Sequence, residues 1–335
     1  LRRKRKWTLR GLLALLLVGS LTLIVALAEL AARAYGLGSP VLYYENQTYR
    51  YAVRPEQSVE RVGGARIEID KFGLRTLDDW EMPGAERILF VGDSVTYGGS
   101  YVDTADLFSS LTCGELRTTG VRVVCGNAGT NGYGTDNMAL RVRFGPVPEP
   151  DIYVVTVISH DALRGTVSLT RFPYFSKPPP RPVPALAEAS LFLLDRVRAR
   201  LRFAGGEDPS PATAGESAEV AGQSLDRLFV ALRERVEGVR VLLVHSPLRI
   251  TVERGYNDFD RAVVEHLRSS GFPVLEMRRA LVDAGTDPGE VYHDGVHLTP
   301  AGHRFYAERI TESLRPAFET GSPRSSAESA REEDD

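Results

Sequence analysis

Apolar positions along this chain fall into runs of contrasting kinds. Residues 11–28 (GLLALLLVGSLTLIVALA) carry no charge over 18 positions, nearly the length a helix needs to cross a hydrocarbon core. Farther on, short apolar stretches recur at 88–91, 121–125, 153–158, 239–245 and 273–276. Such stretches read as strands buried on both faces. Between and after them, residues 105–117, 135–143, 218–236, 258–269 and 300–314 are expected to be helices, amphipathic so that each can cover the sheet. Strands alternating with such helices predict an α/β domain over residues 87–316, with a parallel sheet covered on both faces.

Other segments depart from this alternation. Residues 36–86 are rich in Gly, Pro and Tyr and read as an extended leader packing on the domain, strand-like at 41–44 and at 65–70 (ARIEID), where apolar and polar residues alternate. Residues 166–216 form an insertion with a PPPRPVP stretch and a Gly/Pro/Ser/Ala-rich second flank. Between these flanks, 186–203 is expected to be a helix with Leu186, Leu193, Leu194, Val197 and Leu201 on one stripe. It is either a surface excursion or a lid. Residues 317–335 are rich in Ser, Glu and Asp, a composition expected to stay disordered.

Charge adds a direction to the first run. Net charge is −3, which does not point to nucleic acid, but residues 1–35 hold seven Lys/Arg and one Glu. A basic cluster (Arg2, Arg3, Lys4, Arg5, Lys6) before an apolar span stays cytoplasmic. Residues 1–35 are therefore expected to be a transmembrane anchor with the rest extracytoplasmic. The alternative is a signal peptide cleaved near Ala26-Leu27-Ala28. Cys113 and Cys125 are the two cysteines; either a disulfide or two buried thiols fits them, and no CxxC or Cys/His cluster suggests zinc.

Candidate chemistry lies at predicted strand ends, where sites gather in open α/β sheets. Gly92-Asp93-Ser94 follows the first strand, and a serine there can expose its hydroxyl while its own N–H faces a developing oxyanion. A helix cap is the plain alternative. Late in the chain, Asp294-Gly295-Val296-His297 places a carboxylate three residues before an imidazole whose tautomer it could set. His293, Asp294 and His297 also cluster as metal ligands would, but no further ligand set accompanies them. His245 ends the fourth strand and could face the site. His266 and His303 lie in helices.

Taken in order, the GDS after the first strand, the Gly/Asn-rich turn 127–134 after the second and the late D-x-x-H resemble the SGNH/GDSL hydrolases, over roughly residues 87–316. The resemblance implies a three-layer α/β/α flavodoxin-like sheet. It also implies a Ser94–His297–Asp294 triad and an oxyanion hole built by the N–H groups of Ser94 and Gly132, with Gly129 the alternative. The family's third donor is an Asn before an Asp after the third strand. Here Ile158-Ser159-His160-Asp161 puts His160 at that position, where a neutral imidazole N–H would have to donate. The expected activity is cleavage of acyl esters through an acyl-enzyme, on an extracytoplasmic carbohydrate or lipid, without cofactor or metal. O-acyl transfer to a glycan and a silent binding module are the alternatives. No residue identifies a protein partner.

Overall fold

The computed structural model describes residues 2–169, 184–191, 193–194, 214–235 and 239–319. The first apolar run forms the centre of a helix, Arg2–Ala34. Within its segment Leu9–Ala34 the most apolar 18-residue window has a mean hydropathy of 2.6 and is not buried at all. Leucines therefore face outward all round, unlike the single apolar stripe of a helix docked on a core. By length and composition this helix suits a membrane span or a signal sequence.

Residues 36–86 are more ordered than an extended leader. They form two antiparallel hairpins, β1 (Tyr43–Asn46) with β2 (Arg50–Val53) and β3 (Gln57–Glu60) with β4 (Arg66–Ile69). The alternation expected at 65–70 is present: Ile67 and Ile69 are buried, while Arg66 is exposed. Tyr43, Tyr51, Ile67, Leu74 and Trp80 join the core on one face of the main sheet.

That sheet comprises β5 (Glu86–Val91), β6 (Val123–Asn127), β7 (Ile152–Val157), β8 (Arg240–His245) and β9 (Val274–Glu276). All pairings are parallel, in the order β6-β5-β7-β8-β9. Counted within the sheet this is 2-1-3-4-5, the flavodoxin-like order. Each strand expected from an apolar run is present, with ends moved by a residue or two. Successive side chains point to opposite faces. Ile88 and Phe90 thus pack with Phe108, Tyr306 and Ile310 from helices Phe108–Thr118 and Pro300–Glu319. Leu89 and Val91 pack with Leu225, Leu228 and Val263 from helices Ala214–Glu234 and Asp258–Ser269.

Several boundaries differ from expectation. Asp103 caps a 3-10 turn, Thr104–Asp106, which delays the next helix to Phe108. Helix Ala214–Glu234 starts four residues early, within the stretch read as flexible, and the last helix runs on to Glu319. Helices Arg249–Arg254, Met277–Asp283 and Pro288–Val291 are too short to reveal a period. Cys113 and Cys125 form a disulfide that ties helix Phe108–Thr118 to β6.

After residues 166–169, the described part of the insertion resumes at residue 184 and is helical from residue 185. Its first N–H groups, of Ala185 and Leu186, donate to the Glu29 carboxylate at 2.8 and 3.0 Å, near the end of the long N-terminal helix. Glu188 is buried against Arg61 at 2.6 Å and accepts the N–H of Gly38. This part is therefore fastened to the leader and the N-terminal helix. None of it lines the cavity beside Ser94, so it gives no support to a lid. Residues 170–183, 192, 195–213 and 320–335, which include most of the expected insertion helix and the acidic tail, lie outside the described residues.

Candidate active site

Between β5 and β7 the strand order reverses, and the carboxyl ends of strands at such a switch point frame a crevice. Ser94 stands there, first residue of the short helix Ser94–Tyr97 directly after β5. The turn leading to it has no room for side chains. A Cβ on Gly92 would come within 2.0 Å of Thr96 Oγ1 and 2.9 Å of the Thr156 carbonyl. Asp93, fully buried, accepts the Val95 N–H at 2.9 Å and fixes the helix start. Arg75, from the leader, is buried and donates to the carbonyls of Tyr97 and Gly99, both at 2.7 Å, and to that of Val102. Carbonyls left over where this short helix ends would otherwise lack donors.

Asp294 organises the other side. Its Oδ1 accepts the N–H groups of Val296 (2.7 Å) and His297 (2.8 Å), while Oδ2 accepts from His297 Nδ1 at 2.7 Å. Partial burial acts to raise the pKa of this carboxyl, but these donors together hold it below its ordinary value. With the proton on Nδ1, Nε2 is left as an acceptor, and it meets Ser94 Oγ at 3.0 Å. Tyr101 steadies the loop, donating its hydroxyl to the Leu298 carbonyl at 2.9 Å and stacking on His293 with ring centroids 4.1 Å apart. The structure thus brings Ser94, His297 and Asp294 into one hydrogen-bonded line.

The turn after β6 completes one wall. Asn127 donates Nδ2 to the Thr96 carbonyl at 2.6 Å and accepts the Gly129 N–H at 2.9 Å, locking this turn to the Ser94 helix. The two glycines considered from sequence part company here. A Cβ on Gly129 would lie 2.4 Å from the Tyr97 nitrogen, so Gly129 permits close packing. Gly132, at φ 80°, lines the cavity. This open cavity, about 370 Å³, is bounded by Ser94, Gly99, Tyr101, Asn131, Gly132, Arg164 and His297.

His160 is not brought to it. The imidazole is exposed and lies edge-on to Phe259, centroids 5.8 Å apart. The 3-10 turn Ser159–Leu163 directs it away. His245 is also elsewhere, buried, with Nε2 3.0 Å from Ser159 Oγ and its pKa lowered by burial to about 4. His303 accepts the Phe108 N–H at Nδ1, and burial lowers it to about 3. The metal reading of His293, Asp294 and His297 is not favoured, because His297 Nδ1 and Asp294 are spent on each other and His293 stacks on Tyr101.

Residues 90–305 match the GDSL-like lipase/acylhydrolase family, well over half of the chain. The chain belongs to this family. It is accordingly an ester-hydrolysing enzyme, and its five-stranded sheet is the GDSL hydrolase sheet. Among solved structures it is similar to TesA, at 16% identity over 69% of this chain and 99% of that one, TM-score 0.45. It is similar also to the lipase/acylhydrolase of Enterococcus faecalis (17%, 69% and 96%, TM-score 0.43) and to a two-domain esterase active on acetylated mannans (17%, 72% and 52%, TM-score 0.43). No curated protein matches the chain.

Sequence reasoning passed over Arg164, Arg75 and Tyr101. For Arg164 a signal existed: it lies four residues after His160, one turn on in the loop that GDSL enzymes use for a donor. For Arg75 and Tyr101 there was none, because nothing local distinguishes a buried loop arginine or a stacked tyrosine from surface residues.

Proposed function

We propose that this chain is a serine esterase that removes short O-acyl groups, of acetyl size, from a carbohydrate outside the cytoplasmic membrane, held there by its N-terminal helix. The observation that carries this reading is the line Asp294–His297–Ser94, with contacts of 2.7 and 3.0 Å beside an open cavity. Ser94 Oγ attacks the acyl carbon as its proton passes to His297 Nε2. The carbonyl π pair moves onto oxygen, which the N–H groups of Ser94 and Gly132 face. Collapse expels the alcohol oxygen, which takes the proton from His297 and leaves an acyl-serine. Water then repeats the sequence and releases the acid. Asp294 keeps the imidazole in the tautomer that accepts and stabilises the imidazolium.

The short-acyl preference rests on the walls. Among the described residues that line the cavity there is no Leu, Ile, Val, Phe or Met, so a long acyl chain would find little apolar surface to bury against. The cavity is open, so a bulky hydroxyl-rich alcohol can project out of it. Orientation across the membrane rests on the basic cluster at residues 2–6.

The test is a series of p-nitrophenyl esters from acetate to palmitate, with full-length protein in detergent and Ser94→Ala beside it. The expected result is fastest turnover on acetate, loss of turnover in the variant, and Ser94-dependent labelling by a fluorophosphonate. Preference for palmitate would overturn the short-acyl reading, and an unimpaired Ser94→Ala would overturn the serine mechanism.

A further inference from the structure

The loop after β7 carries the inference, which rests on the serine reading above. GDSL enzymes draw a third oxyanion donor from this loop, and here the residue at that position, His160, turns outward to Phe259. One helical turn later, Arg164 enters the cavity instead. Its Nη1 donates to the Tyr133 carbonyl at 2.8 Å, the residue after Gly132, and contacts Asp161 Oδ1 at 2.7 Å and Asp93 Oδ2 at 3.3 Å. Asp93 Oδ2 is also 3.3 Å from Ser94 Oγ. Arg164 Nη1 and Ser94 Oγ therefore stand at most twice that distance apart, and Ser94, Gly132 and Arg164 line the same cavity.

The surroundings build this placement. Asp93 and Asp161 are fully buried and anchor the guanidinium, whose side chain is 31% exposed. Gly134 permits the approach, since a Cβ there would lie 2.6 Å from the Gly165 carbonyl and 2.9 Å from Arg164 Cβ. Burial first, and then the facing Asp93 carboxylate, push Asp161 well above the ordinary carboxylate range, while Arg164 pulls it down. To the extent that Asp161 keeps its proton, the guanidinium faces one counter-charge rather than two.

We propose that Arg164 is a catalytic residue of this enzyme, a cationic oxyanion donor standing in for the amide side chain that His160 does not supply. In the ground state the acyl oxygen is neutral and gains little from it. Once Ser94 Oγ has bonded to carbon and the π pair sits on oxygen, the fixed cation stabilises the new charge, an interaction made only in the transition state.

The experiment uses full-length protein in detergent and neutral p-nitrophenyl acetate. Arg164→Gln is expected to lower kcat about 10²–10³-fold, with KM within about threefold, since a transition-state interaction leaves substrate affinity alone. Arg164→Lys keeps a cation for Asp93 and Asp161 but loses the fork, and is expected to fall between. Methylguanidinium is expected to restore part of the rate to Arg164→Gly, which a merely structural arginine would not predict if melting temperatures are equal. Three results would overturn the proposal: kcat of Arg164→Gln within threefold of wild type, a loss confined to KM, or a loss seen only with esters bearing an anionic group. The last two assign Arg164 to substrate anchoring. Should Arg164→Gln fail to fold, Arg164→Lys decides, and wild-type kcat there rejects the guanidinium donor. Failure of the serine reading is distinguishable, because it appears as activity retained in Ser94→Ala.

Discussion

Asp294→Asn isolates what the Asp294 carboxylate does for His297. The amide oxygen can still accept the N–H groups of Val296 and His297, now taken at 2.7 and 2.8 Å, so the loop should keep its shape. The new NH₂ would then face His297 Nδ1, where a donor now meets Oδ2 at 2.7 Å. Two donors cannot pair, so the imidazole shifts its proton to Nε2. That nitrogen then donates to Ser94 Oγ across the 3.0 Å contact and no longer accepts from it. For a wholly buried triad this exchange lowers kcat about 10⁴-fold, or about 5.4 kcal/mol at 1.36 kcal/mol per factor of ten. Here the side chains of Asp294 and His297 are 50% and 33% exposed. Water can accept from Nδ1 part of the time, and the expected loss is about 10²–10⁴-fold. Steady-state hydrolysis of p-nitrophenyl acetate measures it, with thermal melting by circular dichroism as the folding control. A kcat within threefold of wild type, at an unchanged melting temperature, would refute the tautomer argument and remove Asp294 from the triad.

Other outcomes follow from the same geometry. His160→Asn should leave kcat on the same ester within about twofold, because the ring faces Phe259 and not the cavity; a tenfold change in either direction would return position 160 to the oxyanion hole. Glu188→Ala strands the Arg61 cation, whose side chain is 5% exposed, and should cost about 3–5 kcal/mol, read as a lowered denaturation midpoint, with the pair Arg61→Met/Glu188→Leu costing less. Stability should fall as pH drops from about 6.5. His245 and His303 are buried neutral with pKa values near 4 and 3, so the unfolded chain binds more protons throughout that window. Melting temperatures between pH 7 and 4, wild type against His245→Gln, report this contribution, and identical pH profiles would contradict the burial of that ring. Reducing the Cys113–Cys125 bridge, which spans 12 residues of sequence, should cost about 3 kcal/mol, measured by calorimetry with and without reductant.

Much of the architecture was legible because it rests on local pattern. The strands appear as apolar runs, since a parallel strand covered on both faces needs apolar side chains at nearly every position. Ser94, Asp294 and His297 were legible for a related reason. Each sits at an element end where only certain residues serve, as Gly92 does before Ser94. The disulfide stayed open, because whether two cysteines meet depends on Cα separation, here 5.9 Å, and on nothing printed in their neighbourhood.

What the sequence by itself determined is the succession of strands and helices along the chain, the uncharged run 11–28 within the N-terminal helix and the three side chains proposed to react, because periodicity, charge and turn chemistry act over a few residues. The tertiary structure alone decided which way loop side chains turn. It sent His160 out to Phe259 and Arg164 into the cavity, chose Gly132 over Gly129 as the cavity wall, and set Arg75 beneath the Ser94 helix. These outcomes depend on contacts between residues tens of positions apart, such as Asp93 with Arg164 and Arg75 with Tyr97. Such contacts come from close packing of many elements at once, and no window along the chain contains them.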